Sequence, residues 1–324
     1  MLKLNMATIY YPYFGKLLDG SYRADDLELR WQYVTPPDKL FRQVIESSAY
    51  DVAEMSMSGY TMLRDSGWRE YRAVPIFTSR RFRHSALFVR GDSRIVSGDQ
   101  LAGKNVGLPE YHMTAAVWVR GMLEEDYGVK PEQIRWFTGG AERPGRKERI
   151  ALPAEIAARV TPIPPDETLF SMLIEGGLDA VMCAHKPALA RGEGAQVRSL
   201  FPDPPRVERD YYRKHGIFPI MHTVVARESL LASNPSIARR LHLILEQLKS
   251  DFYAKVDILK HHPVFPWFED YIEEIENMMG KDPWAHGIEQ NSHALNKFLD
   301  FSFSQGLLRK RPRLEELFVD VSDR

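Results

Sequence analysis

Asp51-Val52-Ala53-Glu54-Met55-Ser56-Met57-Ser58-Gly59-Tyr60 runs from a short apolar segment straight into a helix start. The first five residues read as a strand. Ser56 and Ser58 are side chains that cap helices, and Tyr60 and Leu63 follow on the helix they open. The same strand-then-helix unit recurs on both sides. Upstream, Leu2 to Ile9 and Leu27-x-Leu29-x-Trp31-x-Tyr33 alternate with period two, as half-buried strands do, and Leu40, Phe41, Val44 and Ile45 share one helical face. Downstream, Ala73–Phe77 and Ala86–Val89 read as two more strands. A second series begins near Gly91: a strand leading to Gly107-Leu108-Pro109, a helix from Thr114 to Tyr127 stopped by Gly128, a strand at Ile134–Phe137, an exposed loop over Ala141–Pro153, a strand at Val160–Ile163, a helix from Thr168 to Glu175 and a strand at Leu178–Met182. After Ile220 the pattern turns helical, with Ile237, Leu241, Ile244, Leu245, Leu248 and Phe252 on one face and further helices from Phe268 to Phe318. This alternation predicts an α/β layered fold with a helical C-terminal region.

The composition is that of an ordinary soluble protein: 324 residues, 44% hydrophobic, 27% charged, formal net charge −1. No global field favours nucleic acid or an anionic membrane, and no apolar run approaches the ~20 residues of a membrane span. One cysteine, Cys183, excludes an internal disulfide framework. With no secretory pattern at Met1–Met6, a cytoplasmic location is expected. There is no GxGxxG, no Walker-type phosphate loop and no GxSxG elbow. The histidines are too dispersed for a metal site, and His261-His262 has no carboxylate at ligand spacing, so neither a metal nor an organic cofactor is expected. One local feature stands out. Thr78-Ser79-Arg80-Arg81-Phe82-Arg83-His84-Ser85 places three guanidiniums and an imidazole at the entrance to an apolar segment. Those charges are either solvated or there to grip an anion such as an aromatic carboxylate.

Several pieces resemble the 4,5-dihydroxyphthalate decarboxylase family: Arg80-x-Phe82-Arg83-His84-Ser85, Gly107-Leu108-Pro109-Glu110-Tyr111-x-Met113-Thr114-Ala115-Ala116-Val117-Trp118-Val119-Arg120-Gly121, Trp136-Phe137-Thr138-Gly139-Gly140, Tyr211-Tyr212-Arg213-Lys214-x-Gly216-Ile217-Phe218-Pro219-Ile220-Met221-His222, Asp282-Pro283-Trp284 and Glu315-Glu316-Leu317-Phe318. The resemblance covers nearly the whole chain. It implies a two-lobed clamshell like the type II periplasmic binding proteins, with residues 1–90 plus 216–324 in one lobe, 91–215 in the other, two crossover strands and a ligand cleft between. It also implies cofactor-independent conversion of 4,5-dihydroxyphthalate, or a close analogue, to 3,4-dihydroxybenzoate and CO₂. The alternative is the same clamshell binding an aromatic acid or related anion without chemistry, as the solute-binding proteins of ABC transporters do. The expected partner is a small aromatic carboxylate, with a homo-oligomer left open. Near the N-terminus the chain departs from the family's pattern: Ile9-Tyr10-Tyr11-Pro12-Tyr13-Phe14 stands where an acidic stretch followed by Arg is expected.

On that lobe arrangement Arg80, Arg83 and His84 stand just before the first crossover. Arg80 and Arg83 are expected to hold a carboxylate, the alternative being a partner acid across the hinge. His222, returning on the second crossover, either faces His84 as a catalytic pair or is a satisfied hinge residue. Glu110 is a third candidate for proton transfer. Thr114 and, in the first lobe, Ser56 and Ser58 stand at helix starts, where capping and anion contact are equally good explanations. Tyr10 in the departing loop, Tyr111 in the long motif, Thr138 and Gly139 at a strand end, and His185 after the strand at 178–182 complete the candidate substrate contacts. Trp136 is a stacking wall or a core residue, and Cys183 an inert buried thiol.

Overall fold

The computed structural model describes residues 1–22, 24, 26–192 and 194–322. Its strands form two sheets. The first holds β1 (Leu2–Thr8), β2 (Leu27–Tyr33), β3 (Val52–Ser56), β4 (Tyr71–Arg80) and β11 (Ile220–Arg227) in the order β2-β1-β3-β11-β4. The second holds β5 (Leu87–Arg90), β6 (Asn105–Leu108), β7 (Arg135–Thr138), β8 (Val160–Pro162), β9 (Ala180–Met182) and β10 (Val197–Ser199) in the order β10-β5-β9-β6-β7-β8. In the first sheet β1, β2 and β3 run parallel and β11 runs antiparallel to both β3 and β4. In the second, β6 is parallel to β7 and β9, β7 to β8, and β5 antiparallel to β9. The chain passes from one sheet to the other after β4 and returns into β11, which places the arginine-rich stretch and His222 at the two crossings.

Helices follow the strands as the periodicity predicts. Those of seven residues or more are α1 (Pro37–Ser47), α2 (Met57–Asp65), α3 (Thr114–Tyr127), α4 (Leu169–Glu175), α5 (Pro204–His215), α6 (Ile237–His261), α7 (Phe268–Met279) and α8 (Ser292–Ser304). α3 stops at Gly128, whose φ of 67° is in the left-handed region that favours glycine. α6 buries Ile237, Leu241, Ile244, Leu245 and Leu248 on one face against the first sheet. α8 packs on α3, where Trp118 meets Phe298 and Phe301 at ring separations of 5.9 and 5.7 Å. The close approach depends on Gly121, since a Cβ there would lie 2.3 Å from the Phe301 ring. The C-terminal region thus braces the helix of the second sheet while Val319 N–H bonds to Ala73 O at the edge of the first.

Two elements escape the sequence pattern. β10 is a three-residue antiparallel edge strand, too short to show a period. α5 opens on Pro204-Pro205 and buries only Tyr211, so it has no apolar stripe to read. No helix among the described residues is long and apolar enough to cross a membrane.

Candidate active site

Between the two sheets lies a cavity of about 440 Å³, within the range of small-molecule sites, roughly 300–1,000 Å³. It is built from the ends of parallel strands and the loops that follow them, together with the antiparallel pair β4 and β11, which brings Ser79 and His222. The first sheet contributes Tyr11, Asp38 and Phe41 of α1, Ser56, Ser79, Arg81, Arg83 and His222. The second contributes Pro109, Thr114, Arg146, Arg149, Cys183 and His185. Four guanidiniums and two imidazoles face one carboxylate on the lining, so the cavity suits an anion.

The arginines reach it by different routes. Arg83 is buried and has no acidic partner among the described residues; its Nε–H points to the Met221 thioether at 3.1 Å and its Nη1 to Ala184 O at 3.5 Å. Burial, with repulsion from Arg81, pushes its pKa down to about 9. A buried cation left on such weak acceptors is costly until an anion arrives. Arg81 is exposed, and among the described residues only its backbone N–H is engaged, on Pro219 O. Arg146 and Arg149 come from the loop after β7 and are held by Glu110. Its Oε1 accepts from Arg146 Nε at 2.8 Å and its Oε2 from Arg149 Nε at 2.8 Å, and Arg149 also sits over the Phe41 ring at 5.4 Å. Burial pushes the Glu110 carboxyl up, but Arg149, His112 and Arg146 together hold it below the usual range. Glu148 closes the network, accepting from Tyr111 N–H and pairing with His112 Nδ1 at 2.6 Å. Glu110, His112 and Glu148 bring ligand-type atoms within 4.8 Å of one another. A cation there would have to displace two guanidiniums from Glu110, so the group works as an ion-pair network.

On the other wall His222 Nδ1 lies 2.6 Å from Oε1 of Glu54, a fully buried carboxylate in β3. Phe41 packs edge-on to the imidazole at 5.0 Å. Nε2 of His222 has no protein hydrogen bond among the described residues, and the side chain lines the cavity. This is a ring oriented by a carboxylate at one nitrogen and presented at the other.

Of the candidates read from the sequence, Ser56, Arg83, Thr114, His185 and His222 line the cavity. The others are corrected by where the chain puts them. Arg80 points away, donating to Ala285 O and to Asn291 Oδ1, and so ties β4 to the C-terminal region. His84 is buried against Phe201 and Tyr211, at 5.5 and 5.3 Å, and does not face His222. Glu110 is spent on the two arginines and has no freedom to move protons. Tyr10 is exposed and packs on Tyr33, whereas its neighbour Tyr11 enters the cavity. Tyr111 and Trp136 are core residues around Arg120, whose guanidinium lies 3.7 Å from the Tyr111 ring centroid. Thr138 is buried at the end of β7, and Gly139 is explained by packing, since a Cβ there would be 2.3 Å from Ile163. Gly140 yields space to the Arg143 carbonyl, 1.6 Å from where its Cβ would be, and so turns the loop that carries Arg146. The start of α2 is not an open anion site, whereas the start of α3 carries no side-chain cap and places Thr114 and Ala115 on the lining. Ser56 Oγ and Thr114 Oγ1 share a hydrogen bond of 2.8 Å across the cleft, and Ser58 N–H donates to Thr114 Oγ1 at 3.0 Å. Ser58 itself is fully buried.

The placement of His84 carries a pH dependence. Burial pushes its pKa down to about 4, against about 6.5 for an unfolded histidine. Its contribution is complete above about pH 6.5 and is lost as pH falls towards 4, by on the order of 3 kcal/mol. Urea denaturation at pH 7 and 4.5 checks this, and a His84→Phe variant is expected to show a flatter profile.

A second cavity of about 370 Å³ lies beyond Tyr11 and Tyr13, against α6 and α7. Its walls are mostly apolar, with Phe252, Val256, Ile272 and Ile275. It lacks an imidazole, and Lys249 and Lys260 are already paired with acids.

Two α/β units joined by two crossings, with an anion-accepting cleft between them, define a type II periplasmic-binding-protein-like clamshell. A family model described as "ABC transporter, phosphonate, periplasmic substrate-binding protein" matches residues 24–143. The periplasmic aliphatic sulphonate binding protein SsuA of Escherichia coli has the same fold, with a TM-score of 0.57 over 98% of this chain and 97% of its own at 13% identity. The sequence relatives narrow this further. A 4,5-dihydroxyphthalate decarboxylase of Comamonas testosteroni is 34% identical over 322 residues, 99% of this chain and 97% of the relative. One of Pseudomonas putida is 37% identical over 212 residues, 65% of this chain and 82% of the relative. The chain belongs to the 4,5-dihydroxyphthalate decarboxylase family.

Proposed function

We propose that the chain removes one carboxyl group from 4,5-dihydroxyphthalate, or a close analogue, giving 3,4-dihydroxybenzoate and CO₂. The observation that carries this reading is His222, an imidazole anchored on Glu54 at one nitrogen and free at the other, in a cleft with four arginines. An ortho-dicarboxylate needs cations for the carboxylate that stays, and Arg83 with Arg146 and Arg149 supply them from both sheets. Each hydroxyl of the substrate is para to one carboxylate, so the ring itself accepts electrons. His222 protonates the ring carbon bearing the departing carboxylate while the para hydroxyl gives up its proton, producing a cyclohexadienone. Asp38 and His185 are the cleft groups able to take that proton. The C–CO₂ bond then breaks and its electron pair returns to the ring. The carbonyl becomes a phenolate that regains a proton, and the sum is one proton in and one CO₂ out.

The test is purified protein with 4,5-dihydroxyphthalate and no added cofactor, followed by chromatography. Stoichiometric 3,4-dihydroxybenzoate is the expected product. A ligand-induced rise in melting temperature without product would overturn the reading in favour of a binding protein, the role named for the SsuA neighbour. Arg83→Gln is expected to raise KM about 10–100-fold, the weight of a charge-assisted hydrogen bond of ~1.5–3 kcal/mol. Its fold should persist, because the variant removes an uncompensated buried charge.

A further inference from the structure

We infer that Glu54 is the positioning residue of the reaction, fixing His222 as the Nδ1–H tautomer, and that Tyr11 locks Glu54 in that duty. The inference rests on the decarboxylase reading for its kinetics but not for its geometry.

Glu54 interrupts an otherwise apolar strand and is 0% exposed. Neither Lys nor Arg pairs with it among the described residues. Its three partners are Ile9 N–H at 2.8 Å on Oε2, Tyr11 O–H at 2.7 Å on Oε1, and His222 Nδ1 at 2.6 Å on Oε1. A carboxylate so deeply buried persists only if its hydrogen bonds are made. The third requires a proton on His222 Nδ1, which leaves Nε2 as the nitrogen that gains and loses one. Tyr11 remains a donor, because burial and then the Glu54 charge hold its phenol well above the ordinary range. It is itself braced by a stacked Tyr13, 5.3 Å away, whose hydroxyl donates to Thr78 O at 2.8 Å.

The backbone is shaped to the same end. The β4–β11 ladder loses register on both sides of His222, between Ile220 and His222 and again between His222 and Val224. Irregularities of this kind re-aim a side chain next to a site. The departing N-terminal loop also finds its use here, since Ile9 and Tyr11 supply two of the three donors to Glu54. In the reaction the imidazolium gives its Nε2 proton to the ring carbon and stays on Glu54 as the neutral Nδ1–H form. Bulk water restores the Nε2 proton after product leaves, and Glu54 keeps its charge throughout.

The first test is nitrogen NMR of histidine-labelled wild-type protein. The neutral His222 ring is expected to carry its proton on Nδ1, and a proton on Nε2 instead would overturn the inference without any variant. The second is Glu54→Gln, whose amide can donate to Nδ1 and reverse the tautomer. It is expected to lower kcat about 10²-fold with KM changed less than about threefold, as for loss of a transition-state interaction. Wild-type kcat in a folded Glu54→Gln protein would overturn the inference. If that variant does not fold, Tyr11→Phe, which removes one donor and keeps the carboxylate, is expected to lower kcat about 3–10-fold, a fraction of the acid–base contribution. An unchanged kcat there would overturn the part assigned to Tyr11. Wild-type protein with no activity on 4,5-dihydroxyphthalate would sink the proposed function while leaving the tautomer result to stand or fall alone.

Discussion

His222→Gln is expected to turn over 4,5-dihydroxyphthalate about 10²–10⁴-fold more slowly, the usual weight of a general acid. Glutamine fills much of the same space and its amide can still donate to Glu54, so the fold and the arginine wall should be intact. The loss therefore belongs in kcat. Ligand-induced stabilisation of the variant, measured by thermal denaturation, should match that of the native protein, whereas steady-state product formation should not. Full turnover would remove His222 from the chemistry and shift the proton-donor role to His185, held by Glu142 at 2.9 Å on the same lining, since His84 is sealed against Phe201 and Tyr211.

Glu110→Gln should have the largest effect on stability. The carboxylate is fully buried and serves Arg146, Arg149 and His112 together. Removing one partner of a buried ion pair costs about 3–5 kcal/mol, because the other charge remains without compensation. Arg146 is partly exposed and can turn to water, whereas Arg149 is nearly sealed, with 8% of its side chain accessible. The expected loss is thus near the lower end, about 3 kcal/mol, read as a shift of the urea midpoint. KM should rise in the same variant, as the second-sheet cations are no longer aimed. A midpoint within experimental error of the native value would show that the network is dispensable.

Much of the fold was legible because strands and helices announce themselves by period and by their ends. Val52–Ser56 into Met57, and Leu108 into Thr114 with Gly128 as stop, are local events settled by nearby residues. The site was less legible for a geometric reason. Neighbouring residues leaving a strand point to opposite sides, so a motif places its region without choosing which member faces the ligand. Arg80 turns to the C-terminal region and Arg81 to the cleft; Tyr10 turns outward and Tyr11 inward. Arg146 and Arg149 sat in what reads as a charged surface loop, and they reach the cavity only through Glu110, 36 and 39 residues earlier. Glu54 did carry a signal. An acid inside Val52-Ala53-Glu54-Met55 has to be either paired or functional, and that oddity was visible in the sequence.

The hydrogen bond between Ser56 and Thr114 has a kinetic corollary. Backbone amides at a helix start act over a few ångströms, and here the start of α2 is occupied, with Ser58 N–H on Thr114 Oγ1 and Gly59 N–H on Ser56 Oγ. Long-range capture of an anion falls to the guanidinium groups of the lining, whose field reaches about a Debye length, ~8–10 Å at physiological ionic strength. Such a cleft is expected to draw an anion in by electrostatic steering. Its association rate is accordingly expected to fall as salt is raised, which stopped-flow mixing at two ionic strengths checks.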